Sequence, residues 1–301
     1  MFVALFLFFS IVTERFFNHS NLLTVLRQVS MYGIAAIGMT FVILTSGIDL
    51  SVGSIISIVG IVCAYLMVNL GMSMWIAIPL TLLLATLIGT VNGALVATIG
   101  IPAIIATFAT QIVVQGVSLL ISGGRPISGF DDSFRVIGQG MVFDSPVPVP
   151  VVIMIVCFAI GSFILNKTYF GRYFYAIGGS EEASLLSGIR ISRVKYLVYA
   201  LSGLFAGIAG IVMLSRTNSA QPTAGQGWEF AVITCVVLGG VSVKGGSGKF
   251  SNVIAGVLIV GILTNGMILM NISAFTQMIV QGCVLALAVG FDCIQQKRQI
   301  V

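Results

Sequence analysis

Apolar runs of helical length follow one another along almost the whole chain, with only short polar stretches between them. A bilayer core takes about 20 apolar residues per helical crossing, and a peptide in lipid must satisfy its own backbone groups. Only 8% of the residues are charged against 58% hydrophobic, so a soluble core could not hide such a sequence. The fold class is therefore all-α: a polytopic membrane helical bundle of about ten transmembrane segments with some broken helices. Spans are expected near 1–13, 23–46, 53–69, 74–97, 102–121, 148–166, 196–214, 230–242, 251–270 and 272–291, the first and eighth being short for a crossing.

Met1 opens directly on apolar residues and Glu14-Arg15 interrupts the run. Three readings stand: a polar leader missing from the chain, a segment lying partly in the interface, or a cleaved signal peptide. The last is disfavoured, because no basic region precedes the run and no small-residue cleavage site follows it. Positive charge sets orientation. With the 167–195 loop inside, Lys167, Arg172, Arg190, Arg193, Lys195, Lys244, Lys249, Lys297 and Arg298 are cytoplasmic, against Arg15, Arg27, Arg125, Arg135 and Arg216 outside. Both termini are then cytoplasmic. The net charge of +5 reads as topology, and no nucleic-acid surface is expected. Cys63, Cys157, Cys235, Cys283 and Cys293 have no paired spacing, and His19 cannot form a histidine metal cluster alone; no metal and no cofactor is expected in this chain.

No linker divides the sequence, so residues 1–301 read as a single transmembrane domain. The longest outer connection, 122–150, carries Arg125, Pro126, Asp131, Asp132, Arg135 and Asp144, then Pro146, Pro148 and Pro150. It is polar, rigid at its end and able to meet an outside partner. Gly89 with Gly93, and Gly203 with Gly207, form two GxxxG patterns suited to close helix approach within the bundle. Ten spans suit an inverted pair of five, as in many transport folds, although no sequence repeat stands out.

Few polar groups interrupt the spans. Asp49 sits in Thr45-Ser46-Gly47-Ile48-Asp49-Leu50-Ser51-Val52-Gly53 between two of them. It is either a functional carboxylate, held by a helix that Ser51 and Ser54 cap, or simply the cap of the third span. Asn92 and Asn265, each followed by glycine, must find partners in the bundle or line a wet path. The stretch 215–229, with Gln221, is dense in hydroxyl and amide groups that suit a neutral hydroxylated solute or an ordinary solvated loop. Asp49, Ser51, Asn92, Gln221 and Asn265 are thus the candidate translocation-path residues. Gly240 to Lys249 tempts a phosphate-loop reading, but Gly245-Gly246-Ser247 stands where Gly-Lys-Ser/Thr is required, and Gly248-Lys249 is followed by Phe250. Protease, hydrolase and metal signatures are missing, so there is no catalytic residue to name.

The charged loop Tyr169 to Lys195 is the exception in this apolar chain. Ser180 can cap a two-turn helix, Glu181 and Glu182 meet its positive end, and Gly188 stops it.

Taken in order, TSGIDLSVGS at 45–54, GRYFYAIGGSEEASLLSGI at 171–189, SAQPTAGQGWE at 219–229, and LGGVSVKGGSGKF followed by TNGMILMNIS resemble the ribose permease family of bacterial ABC importers, in the superfamily that also holds branched-chain amino acid permeases. The resemblance spans nearly the whole chain. It implies a multi-pass subunit of the bacterial plasma membrane that pairs with a second copy or a close paralogue. It further implies a cytoplasmic ATP-binding subunit holding ATP and magnesium, an extracytoplasmic sugar-binding protein, and surrounding lipid. It makes 176–189 the ATPase-coupling region, with Gly178, Gly179, Ser180, Glu181, Glu182, Ala183, Leu185, Leu186, Ser187 and Gly188 as the coupling residues. The sequence departs from the family at Ser180, where Asn is common, at Leu185, where Arg is common, and in lacking a polar inner N-terminal extension. The function implied is ATP-driven alternating access for a monosaccharide, ribose first, with xylose, galactose, arabinose, a signalling furanose or a branched-chain amino acid as alternatives. An ion-coupled secondary transporter would need buried ionisable groups at the midplane, where Asp49 alone is a candidate. An intramembrane enzyme would need a nucleophile and a base.

Overall fold

The computed structural model describes residues 2–142 and 145–300, with side chains of the last helix as far as Ile294. Asp144, and the side chains of Lys297 and Arg298 used above for orientation, lie outside the described residues. In chain order the elements are α1 (Phe2–Val12), α2 (His19–Leu44), α3 (Val52–Ala64), α4 (Met74–Ala94), α5 (Ala103–Ser122), β1 (Ile127–Ser128), α6 (Asp132–Gln139) and α7 (Val149–Lys167). There follow α8 (Tyr169–Gly179), α9 (Glu181–Leu186), α10 (Ile191–Thr217), β2 (Ser219–Ala220), α11 (Trp228–Leu238), α12 (Phe250–Leu269) and α13 (Ala274–Ile300). Both α3 and α4 run on into a π-helical turn, Tyr65–Asn69 and Leu95–Ile99.

Eight of these helices are long and apolar enough to cross a bilayer, which makes the chain a multi-pass membrane protein. The remaining two apolar helices, α1 and α11, have 11 residues each. At 1.5 Å per residue each spans about 16 Å, half a hydrocarbon core of about 30 Å.

Eight of the ten apolar helices fall into two interleaved sets of neighbours. α2 lies against α10; α10 packs on α3 and α4, as α2 packs on α11 and α12; α3 packs on α4 and α5, as α11 packs on α12 and α13. Exchanging α2, α3, α4 and α5 for α10, α11, α12 and α13 leaves these neighbours unchanged. α2 ends, and α10 begins, at the end of the molecule that carries α9, so the two sets run in opposite directions, as in inverted-repeat transporters. The repeat is spatial, and no matching repeat stands out in the sequence.

Close packing rather than hydrophobicity holds helices together in lipid. The two GxxxG patterns meet each other here. A side chain at Gly93 would stand 2.9 Å from the Tyr196 backbone, one at Gly207 would stand 2.7 Å from Ala85, and Gly89 and Gly203 approach the carbonyls of Tyr199 and Ala85 even more closely. The aromatic hub is Phe41 of α2, whose ring lies 5.6 Å from Phe174, 6.1 Å from Phe205 and 6.1 Å from Phe250, tying α8, α10 and α12 together.

Two short helices were not anticipated from the sequence. α6 folds part of the 122–150 connection onto the C-terminal end of α10: Ser215 Oγ accepts from the Gly138 N–H at 2.7 Å and donates to the Phe134 carbonyl at 2.7 Å, and Gln139 donates to the Arg216 carbonyl at 2.9 Å. α8 forms ahead of α9 because Gly171, Phe174 and Ile177 recur at helical spacing and bury one face. α10 starts at Ile191, five residues before the span expected at 196, so Lys195 belongs to the helix and not to the loop.

Candidate functional site

Two broken crossings meet inside the bundle. At the first, α2 ends at Leu44, Ser46 takes a positive φ of 60°, and residues 45–51 turn back to start α3. Asp49 is fully buried there. Its Oδ1 accepts from the Ser51 N–H at 3.0 Å and the Ser51 hydroxyl at 2.6 Å, and its Oδ2 accepts from the Ser202 hydroxyl of α10 at 2.7 Å. Asn92 of α4 donates to Ser51 Oγ at 2.8 Å, and Thr107 of α5 accepts from the Leu50 N–H at 3.0 Å. One carboxylate thus ties the start of α3 to α10 and, through Ser51, to α4. Ser51 occupies the N-cap position of α3 without using its side chain as a cap, because its hydroxyl is committed to Asp49, and Ser54 donates to the Ser51 carbonyl instead. The expected serine caps are therefore corrected: Asp49 organises the turn and the serines serve it.

The second crossing lies between β2 and α11. The sequence allowed a solvated loop over 215–229, but its backbone is built into the bundle. The Gly225 N–H donates to Ser57 of α3 at 2.9 Å, Gln115 of α5 donates to the Pro222 carbonyl at 2.7 Å, and Gly53 and Gly225 touch with no room for a side chain on either. Glu229, in the first turn of α11, is buried; its Oε1 accepts from Gln111 of α5 at 3.0 Å. Its Oε2 closes no hydrogen bond.

Of the five candidate path residues, the structure brings Asp49, Ser51 and Asn92 into one network. Gln221 is exposed at the edge of the second crossing. Asn265 pairs with Asn21 through two amide hydrogen bonds of 3.0 Å, joining α12 to the start of α2. Ser202, Tyr199, Glu229 and Gln111 belong beside these residues and were missed. Lys195, Tyr199 and Ser202 share one helical face by spacing, a signal that appears once α10 is begun at 191.

The opposite end from α6 carries α9 and the segment 178–188. The Ser180 hydroxyl accepts from the Ala183 N–H at 3.2 Å, Glu181 and Glu182 occupy the first turn of α9, and Gly188 follows the helix with a φ of 82°. Only Ser184 of α9 is buried; Leu185 and Leu186 are 62% and 83% exposed, which is unusual for leucines on a polar surface. Glu181 accepts from Lys195 Nζ at 2.8 Å through both oxygens. Gly178 and Gly179 close α8 instead of opening α9. Gly178 packs on the Leu44 carbonyl and on Gly246, its own carbonyl accepts from Ser46 Oγ at 3.3 Å, and Ser46 also donates to the Lys244 carbonyl at 2.7 Å. The glycine loop that failed as a phosphate loop is a brace: Gly246 N–H donates to the Leu44 carbonyl at 3.0 Å, and Tyr175 donates to the Gly248 carbonyl at 2.9 Å. Among the described residues no group of three or more His, Cys, Asp or Glu could hold a metal ion.

Residues 21–289 match the family described as branched-chain amino acid transport system / permease component. The ribose import permease protein RbsC of Haemophilus influenzae is 43% identical over 298 residues, covering 97% of this chain and 91% of the relative. RbsC of Bacillus subtilis is 42% identical over 285 residues, 94% of this chain and 88% of the relative. The chain belongs to the ribose-type permease family of ABC importers. The L-arabinose transport system permease protein AraH of Escherichia coli is as similar, 42% identical over 299 residues, 99% of this chain and 90% of that protein. No solved structure matches the permease. Its relatives are named as permease proteins of transport systems, and its buried carboxylates have the character such a chain requires: few, and built into helix junctions.

Proposed function

We propose that this permease is the membrane subunit of a bacterial plasma-membrane importer that carries a monosaccharide, ribose first, by ATP-driven alternating access. The relatives named for ribose, L-arabinose and, at 31% identity, xylose support a pentose above a branched-chain amino acid. The observation that carries the coupling part of the reading is α9, a capped helix with Leu185 and Leu186 exposed at the end of the molecule where α2 ends and α10 begins. Exposed apolar side chains on a short helix suit docking into another protein. We take that protein to be a cytoplasmic ATP-binding subunit, which would hold the nucleotide and magnesium. The end bearing α9 is then cytoplasmic, with both termini on that side.

In this reading two copies of the chain line the sugar path, and a sugar-binding protein delivers to the outer end, where α6 covers α10. Gly178 and Gly179 act as the brace, and Ser180 to Gly188 as the moving contact. ATP binding by the partner shifts α9, and α10 transmits the shift to the Asp49 network at the start of α3.

The test is reconstitution of the permease in liposomes with its ATP-binding subunit and sugar-binding protein. Uptake of ribose should exceed that of xylose, galactose and leucine. Glu182→Arg with Leu186→Arg should abolish uptake and sugar-stimulated ATP hydrolysis while membrane insertion is unchanged. Stimulated hydrolysis at the unsubstituted rate in that double variant would refute the docking role of α9.

A further inference from the structure

A cleft of about 410 Å³ opens at the α9 end of the bundle, between α7, α8 and the start of α12. None of the residues lining it belongs to the Asp49 network or to α9. Its lining is graded along the helices. Asn166, Lys249 and Ser251 stand at the helix ends, whereas Phe158, Ala159 and Ile254 lie deeper. At 1.5 Å per residue, Phe158 is about 12 Å further from the end of α7 than Asn166. The Phe158 and Phe250 rings, with centroids 5.3 Å apart, make an apolar floor. Both α7 and α12 are long and apolar enough to cross a bilayer. Along this stretch α7 turns an apolar face outward, with Ile155, Val156, Ile160 and Phe163 exposed.

The polar end of the cleft is cationic. Lys249 is exposed, and among the described residues it enters no ion pair. No Asp or Glu lines the cleft, and α7, α8 and α12 contain none. Lys167, next to Asn166, and Arg172, one turn before Tyr175 on α8, add positive charge at the same end. The neutral groups there supply donors. Ser162 Oγ accepts from Asn166 Nδ2 at 3.0 Å and keeps its own O–H to give. Tyr175 donates to the Gly248 carbonyl at 2.9 Å, which ties α8 to the loop that carries Lys249. A free phosphate would use this end alone and leave the apolar floor unexplained. A phospholipid has the same order as the cleft, a phosphate above a hydrocarbon chain, and uncompensated positive charge between membrane helices selects a net negative headgroup.

We propose that this cleft is a binding site for one anionic phospholipid, whose phosphate is held by Lys249 with Ser162, Asn166 and Ser251 and whose acyl chain runs over Ala159 and Ile254 onto the exposed face of α7. The lipid joins α7 to α12 beside the Tyr175–Gly248 bond. That bond belongs to the glycine-loop brace behind residues 44–46, so the bound lipid stabilises the brace from the membrane side. The site does not depend on which solute the permease carries.

The experiment uses the full chain, stripped of lipid in detergent and then given phosphatidylglycerol or phosphatidylcholine, with retained lipid counted by native mass spectrometry and the thermal midpoint read alongside. One phosphatidylglycerol should be retained in preference to phosphatidylcholine, and it should raise the midpoint. Lys249→Gln should weaken that retention severalfold, and Lys249→Arg should keep it. Lys244→Gln, in the same loop but not lining the cleft, should leave retention unchanged. Ala159→Trp, which fills the apolar part from an exposed position, should weaken it as Lys249→Gln does. Glycerol 3-phosphate at the same concentration should not raise the midpoint. Equal retention of the two lipids, an equal loss in Lys244→Gln and Lys249→Gln, or retention unchanged in both Lys249→Gln and Ala159→Trp would overturn the proposal. A midpoint raised as far by glycerol 3-phosphate would make the cleft a site for soluble anions and overturn it too. So would loss of the lipid on assembly with the ATP-binding subunit, which would make the cleft a protein contact. Each of these results leaves the importer reading intact.

Discussion

The two broken crossings occupy equivalent places in the two halves of the bundle, yet they handle a buried carboxylate in opposite ways. At the first, both oxygens of Asp49 accept from hydroxyls or backbone, and those donors come from α10 and from the start of α3 itself. At the second, Glu229 is held through one oxygen by Gln111, while Oε2 crowds the place where Gly53 has no side chain, beside the Gly225 carbonyl. A satisfied buried carboxylate is a fixture, because every partner loses a bond when it goes. A half-satisfied one has fewer bonds to lose when it moves. The first crossing therefore reads as a rigid joint and the second as the side able to rearrange.

That contrast can be broken at three positions. Asp49→Ala strands the donors of Ser51 and Ser202 together and should cost about 3 kcal/mol or more of stability, read as a large drop in thermal midpoint in detergent and loss of folded yield. A midpoint within a degree or two of the parent, by the scaling of about 2–4 °C per kcal/mol, would show that the joint is not rigid. Gly53→Ala places a methyl group against both Glu229 Oε2 and the Gly225 carbonyl, where backbone cannot yield, and should cost about 1–3 kcal/mol in the same assay. Glu229→Gln has the smallest expected effect. The amide keeps an oxygen for Gln111 and gives a donor to the acceptor-rich side, so stability should be unchanged or up by as much as about 1 kcal/mol. A loss matching Asp49→Ala would make the two crossings alike.

Membrane helices were legible because lipid allows few alternatives. The ten segments expected from apolar run length correspond to ten apolar helices, including the two short ones, α1 and α11. The cap at Ser180, the stop at Gly188 and the close helix approach at Gly89 and Gly93 were legible for the same reason, since each depends on residues near in sequence or on glycine alone; that the two glycine patterns meet each other was not. The helices α6 and α8 were not, because their apolar positions are few and lie among polar residues that read as loop.

The candidate path divides along the same line. Asp49 and Ser51 are two residues apart, and their bond could be argued from spacing. Asn92 could be suspected, but Ser202 could not, because it reaches Asp49 only after α10 has packed against α2 and α4. Gln221 and Asn265 have the same polar character as Asn92 and ended elsewhere, one exposed and one bonded to Asn21.

By itself the sequence determined that this chain lives in a membrane, how many apolar helices it makes and which family it resembles, since these rest on run length, local capping and motif order. Only the tertiary structure decided which polar groups share a site, because a buried hydroxyl or carboxylate is defined by donors that long-range packing brings to it. It also showed the inverted arrangement of the two halves, which neighbour contacts preserve and the sequence has nearly lost.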